Sequence, residues 1–444
     1  MIKLIQYLVV TLLSGALLAA PAAGQSLIRD AEIENTIRSY ATPIFLAAGL
    51  EPDNIRINLI GDDDLNAFVA GGQQLFIYTG LLIAAQDPGE VIGVIAHESG
   101  HIAGGHLIRI QEELRNAQLK SILATVLGAV AGVATGDGRV AGGIATAGQG
   151  EAAGSLFKYS RTQESAADAA GMKYLDATGQ SSRGIYNFLK LLEGQMFRSG
   201  VRISPYLSTH PLTTERIDTV ANHLALSRFA DAPTDPKLIE AHNRMRAKLV
   251  AFTKPIGVVL QQYPEGDTSI AARYAHAIAW YRIPDLKKAT ALIDGLIADE
   301  PNNPYFHELK GQMLLESGHV AESLAPYGKS VALAPEEPLL EVALAKAQLE
   351  TNDAALVEPA RLHLESALQK EAGLADAWRL MTVANSRLGK NGETALAQAE
   401  YALILGEKSQ ARVLAKRAMD ILPNGSSGWL RAQDIASQVE RDKS

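Results

Sequence analysis

Between Val91 and His106 the chain reads Val-Ile-Gly-Val-Ile-Ala-His97-Glu98-Ser-Gly-His101-Ile-Ala-Gly-Gly-His106. On an α-helix, residues four apart lie on one face a turn apart, so the imidazoles of His97 and His101 can grip one Zn²⁺. Glu98 projects beside them, placed to act on a water at the metal. The bland alternative is a chance coincidence of two histidines and a glutamate on an amphipathic helix. Against it stands the apolar run Val91 to Ala96, which predicts a buried helix, and glycines at 100, 104 and 105, which let another backbone or a substrate come close. Two histidines still need a third protein ligand, with one position left for water. Whatever fold this chain adopts has to bring a second ligand-bearing element against this helix.

The 444 residues are too many for one ordinary core and predict two or three domains. A net charge of -8 with no basic block excludes a nucleic-acid partner. With no cysteine, a Cys-type zinc site is excluded and the metal takes nitrogen and oxygen donors; the same absence suits an oxidising compartment. Residues 1–25 have the pattern of a secretory signal, with Lys3, an apolar stretch from Leu4 to Ala20 and a small-residue cleavage region Ala20-Pro-Ala-Ala-Gly24. An uncleaved anchor is the alternative, although the stretch is barely long enough to span. The expected location is a bacterial periplasm, with the signal removed.

Ahead of the motif, periodicity predicts a helix over 29–48 that Pro43 bends or breaks, a strand over 55–60, and two short strands around Gly71-Gly72. This hairpin, Asn66 and Phe68 included, is either purely structural or a substrate-facing edge that takes an extended peptide as an added strand. Residues 122–157 are rich in Gly and Ala. They are expected as two closely packed helices, or as a flap that covers the active site or touches a membrane surface.

A further helix from Phe157 to Leu175 carries Glu164 and Asp168 one turn apart. Glu164 by itself reads as a surface charge or as the missing carboxylate ligand. Asp168 can accept the remaining imidazole N–H of a ligating histidine, and it is grouped with Glu98 among the catalytic residues. His210, beside Pro211 on a loop ahead of a helix over 215–227, is either a surface side chain or a polar group of the active site. His106 and Arg216 are expected in the cleft or just behind its ligands.

Beyond a Pro-rich passage the texture is helical and repetitive. Pro301 and Pro335 stand 34 residues apart, Gly311 is eighth in the unit that begins at Pro304, and Ala289, Ala411 and Ala418 fall where the second helix of a tetratricopeptide unit packs on the first. Pro423 closes the last unit. Four degenerate units over about 270–430 are predicted, the third about four residues too long at Thr351 to Val357. The predicted organisation is a signal at 1–25, a zinc metallopeptidase domain at 26–255, a linker at 256–269 and a repeat domain at 270–440.

Taken together, Asn66-Ala-Phe68, Gly71-Gly72, Thr79-Gly80-Leu-Leu82, the His97 to His101 motif with His106, Gln163-Glu164-Ser-Ala-Ala-Asp168 and Thr209-His210-Pro211 resemble the gluzincin metallopeptidases related to HtpX and the CaaX prenyl endopeptidase. Within that group the chain is similar to the periplasmic beta-barrel assembly-enhancing proteases, which carry a TPR tail. The resemblance implies a mainly α fold: a gluzincin-type domain with a small β-hairpin or sheet, followed by an α-helical TPR solenoid. It implies one Zn²⁺ per chain on His97, His101 and Glu164, with Glu98 as base and His210 as an extra, regulatory ligand. Asn66, Phe68, Gly71 and Gly72 would contact substrate. The implied partners are unfolded or misassembled outer-membrane proteins and the barrel assembly machinery. A non-catalytic chaperone with a structural zinc site is the competing class, and the presence of Glu98 argues against it, since a structural site needs no base.

Overall fold

The computed structural model describes residues 26–70, 73–106, 161–199 and 205–441. The signal-like segment, Gly71-Gly72 and the 122–157 stretch lie outside the described residues. By their internal contacts the residues group into two compact units, one built from residues 41–233 with the strand at 26–28, the other from Arg29–Tyr40 and Thr234 onward.

The first unit holds a four-stranded sheet of β1 (Ser26–Ile28), β2 (Arg56–Gly61), β3 (Ala67–Ala70) and β4 (Gln74–Tyr78), in the order β1-β2-β4-β3. β2 and β4 run parallel, and β3 pairs antiparallel with β4 from Ala67↔Ile77 to Ala70↔Gln74. Among the described residues β3 is therefore an edge. Strand alternation sorts the two faces: Leu59, Ala67, Val69, Leu75 and Ile77 are buried, while Phe68 stacks on Phe76 across the β3–β4 pair at 4.9 Å on the other face. Helix α1 (Ala31–Ala47) contains Pro43 without breaking. The short α2 (Thr79–Ala84) follows β4 directly.

Helix α3 (Pro88–Ala103) begins where Asp87 accepts from the Gly89 N–H and Pro88 supplies a preset φ at the first turn. Every residue from Glu90 to His101 is buried, so this is a core helix with its chemistry inside. It packs on β3 and on α5 (Arg183–Ser199). The described part of α4 spans residues 161–177. After α5 come α6 (Pro205–Thr209) and α7 (Thr214–Leu226), the latter capped by the Thr213 side chain accepting from Arg216 N–H. Among the described residues no helix is long and apolar enough to cross a membrane.

The second unit begins with α8 (Pro236–Thr253), and the stretch expected as a linker contains α9 (Ile256–Gln262). Ten helices then follow in series, α10 (Ile270–Arg282) through α19 (Ser427–Arg441), making five helical hairpins where the repeat spacing gave four. Pro423 lies in the turn between α18 (Lys408–Ile421) and α19 and does not close the array. Ala411 and Ala418, expected on a second helix, are buried in α18, the first helix of the fifth hairpin. The reason is length: Ser427 to Arg441 is a full helix, too long for a frayed tail. Gly311 makes room for the Tyr327 ring, which a Cβ there would meet at 2.7 Å. The surplus in the third unit becomes a left-handed Asn352 (φ 58°) and a 3₁₀ turn, Ala354–Leu356, capped by Asp353.

Within this unit the N-terminal half of α1 is bound by an ionic network. The buried Lys248 ammonium lies 2.8 Å from Asp30, 3.5 Å from Glu32 and 3.9 Å from Glu308, while Arg244 and the Tyr274 hydroxyl hold Glu32 at 3.1 and 2.9 Å. Burial among these carboxylates pushes Glu308 up to about 7, against the partial relief from Lys248. A folded-state pKa above the unfolded value means that stability falls as pH rises from the ordinary carboxylate range to about 7. Glu308→Gln is thus expected to raise Tm by a few degrees at about pH 8 and to leave it nearly unchanged at about pH 5. Thermal melts at the two pH values check this; equal shifts at both contradict it.

Candidate metal centre

α3 and α4 cross with backbone almost touching backbone. A Cβ on Gly100 would sit 2.9 Å from the Ala167 carbonyl oxygen, and one on Gly171 would sit 3.2 Å from the His97 nitrogen. Only glycine at both positions lets the helices approach this closely. The approach brings Glu164, on α4, against the two histidines of α3, and α6 adds His210 at its C-terminal end.

One donor atom from each of His97, His101, Glu164 and His210 lies within 4.8 Å of the others, and all four residues are buried. His97 Nε2 is 3.0 Å from His101 Nε2, 3.4 Å from His210 Nδ1 and 3.4 Å from Glu164 Oε2. Glu164 Oε1 is 3.3 Å from His101 Nε2 and 3.0 Å from His210 Nδ1. Bonds of about 2.0–2.1 Å to a tetrahedral Zn²⁺ place neighbouring donors about 3.3 Å apart, close to the separations of these pairs. The donor set of imidazoles and one carboxylate suits zinc as well.

Behind the ligand atoms stands a layer of partners. His97 Nδ1 donates to Asp168 Oδ1 at 2.9 Å, which turns Nε2 toward the other donors. Arg216, itself buried, donates from Nε to Asp168 Oδ2 at 2.6 Å and from Nη2 to Oδ1 at 2.9 Å, and its Nη1 lies 2.8 Å from Glu164 Oε2. Nη1 also donates to the Pro211 carbonyl at 3.0 Å, which ties the His210 segment to the same guanidinium. His106 Nδ1 lies 2.9 Å from His101 Nδ1.

Charge follows from this packing. Burial opposes ionisation of His97, but the Glu164 carboxylate and the Asp168 hydrogen bond outweigh it and hold the ring up at about 10. Burial pushes His101 down to about 3. Asp168 is buried yet held down at about 2 by its bonds to Arg216 and His97, and Glu164 is lowered further by the same kind of partners. Glu98 is different. Burial raises its pKa, and neither carboxylate oxygen has a hydrogen-bond partner among the described residues; His210 Nε2 lies 3.5 Å from Oε1. A fully buried carboxylate with no hydrogen bond is costly, and such groups are kept where chemistry uses them.

The structure therefore brings together His97, Glu98, His101, His106, Glu164, Asp168, His210 and Arg216. Asn66 is buried just before the edge strand and Phe68 lies within it; Gly71 and Gly72 are outside the described residues. Tyr206 carried no assignment from sequence. It is buried and stacks on His210 with ring centroids 4.4 Å apart, and its place one turn before His210 on a short helix was the available signal.

Comparison with known proteins agrees with this geometry. Residues 28–224 match the model of peptidase family M48. The beta-barrel assembly-enhancing protease of Yersinia pestis is 24% identical over 425 residues, covering 94% of this chain and 86% of that protein. The protein of the same name from Escherichia coli K12 is 24% identical over 413 residues, covering 90% and 81%. The mitochondrial metalloendopeptidase OMA1 of Saccharomyces cerevisiae is 31% identical over 163 residues, 36% of this chain and 43% of its own length. The region that matches the family M48 model contains all four clustered donors, and the chain is a zinc metallopeptidase.

Proposed function

We propose that the protein is a periplasmic zinc endopeptidase that cleaves misfolded or stalled outer-membrane barrel proteins and assists their assembly, its repeats holding the client. The observation that carries the peptidase reading is Glu98, buried and without a hydrogen-bond partner among the described residues, 3.5 Å from His210 beside the clustered donors. The client class is supported by the names of relatives that align along most of the chain.

In this reading His97, His101 and Glu164 hold the zinc, which when bound supplies a Lewis acid that polarises the scissile carbonyl and makes a water acidic near neutral pH. Glu98 takes the proton from the attacking water and returns it to the leaving amine. Asp168 and Arg216 keep His97 and Glu164 oriented through the contacts described above. The edge strand β3 takes the client segment as an added strand, with Phe68 and Phe76 offering an aromatic surface to alternate side chains. An unfolded barrel strand, apolar at every second residue, suits such an edge.

His210 occupies the donor position that a water needs, so the resting enzyme is held closed until the His210 segment moves. The test uses purified mature protein and a denatured outer-membrane barrel protein. Cleavage is expected, is lost with a zinc chelator and returns with added Zn²⁺. His210→Ala is expected to cleave an unstructured peptide faster than the parent. A slower rate would instead make His210 a stabiliser of the developing oxyanion, and absence of cleavage by both proteins would favour a chaperone with a structural zinc.

A further inference from the structure

His106 stands beyond the end of α3, yet its ring returns to the helix. α3 stops at Ala103, and Gly105 adopts φ +63°, the left-handed conformation that reverses the chain. At Gly104 a Cβ would lie 2.5 Å from His106 Nε2, so only glycine leaves room for the folded-back ring. The ring is buried, with its Nδ1 2.9 Å from His101 Nδ1, and the two ring planes are 76° apart. The His106 carbonyl accepts from Gln163 Nε2 at 3.1 Å, which anchors the turn to the residue preceding Glu164.

A neutral imidazole carries its proton on one nitrogen, and the nitrogen that faces a cation has to be bare. His101 Nε2 faces His97 and Glu164, so its proton belongs on Nδ1 and needs an acceptor. For His97 that acceptor is Asp168. For His101 the atom in place is His106 Nδ1.

We propose that His106 is a positioning residue for the metal centre: its Nδ1 accepts the Nδ1–H of His101, fixing the tautomer and ring angle that present His101 Nε2 to zinc. The Gly104-Gly105 pair is the backbone device that delivers it. This rests on the metal-centre reading, and it explains why two glycines follow a helix that could otherwise have run on.

The experiment measures zinc affinity of the full mature chain by competition with a chromophoric chelator, together with the visible spectrum of the Co²⁺-substituted protein and the melting of the zinc-free form. His106→Leu, which has no acceptor, and Gly104→Ala, which displaces the ring while leaving its chemistry intact, are each expected to weaken zinc by about 10–100-fold and to alter the Co²⁺ bands. His106→Asn, whose Oδ1 takes the place of Nδ1, is expected to stay within about threefold of the parent. If His106→Leu does not fold, the other two variants carry the comparison. Parent-like affinity and Co²⁺ bands in Gly104→Ala or His106→Leu, with only the zinc-free melting lowered, would reduce His106 to a packing role and overturn the proposal. A parent protein that binds no zinc would overturn the metal-centre reading itself, a result separable from failure in the variants alone.

Discussion

Glu98→Gln is expected to bind zinc as the parent does and to cleave unfolded polypeptide about 10²–10⁴-fold more slowly, the usual contribution of a positioned general base. Glutamine has the same size and enters the same buried site. Because the Glu98 carboxylate makes no hydrogen bond among the described residues, the substitution breaks none there, and the helix that carries His97 and His101 is left in place. What disappears is the ability to take a proton. The carboxylate is suited to that task because burial raises its pKa toward the working range, with the neighbouring His210 and His97 pulling the other way. Metal analysis and peptide turnover on one preparation separate the two effects. Turnover within about threefold of the parent, with zinc retained, would refute Glu98 as the base.

Glu164→Gln is expected to lose zinc by more than the roughly 10–100-fold typical of removing a supporting group, because it removes a ligand and its charge together. Glu164 lies against all three histidines of the cluster and also neutralises one edge of the buried Arg216. An amide in its place leaves that guanidinium facing a neutral group, a costly arrangement in a water-excluded site. The zinc-free fold is expected to survive, since Arg216 keeps its two hydrogen bonds to Asp168. Zinc content after dialysis, with circular dichroism on the same sample, reads both consequences. Full zinc content would move the third ligand elsewhere, with His210 first in line.

How far sequence carried the site depends on the range of the interaction. The pairing of His97 with His101 was legible because one helical turn sets it, and the buried apolar run said that a helix was there. The β3–β4 hairpin was legible for the same reason, its alternation and turn being local. The repeat texture of the second unit came from a period of 34 residues. Its fifth hairpin escapes that reading because Pro423 marks an end to the period, whereas the helix Ser427–Arg441 beyond it still packs on its neighbours through the buried Ala432 and Ala436.

By itself, then, the sequence determined the elements and the chemistry each could carry: two imidazoles and a base on one helix, carboxylates on another, a histidine on a Pro-braced segment. Which of them meet was decided by tertiary structure alone. Glu164 differs from any surface glutamate only because Gly100 and Gly171 let α3 and α4 touch, and no local pattern encodes a contact across some seventy residues. Arg216 shows this most plainly. Sequence expects it only in the cleft or just behind its ligands, and folding is what buries it between Glu164, Asp168 and the Pro211 carbonyl. A buried charge takes its role from the partners that pay for its desolvation, and those partners are assembled only when the helices pack.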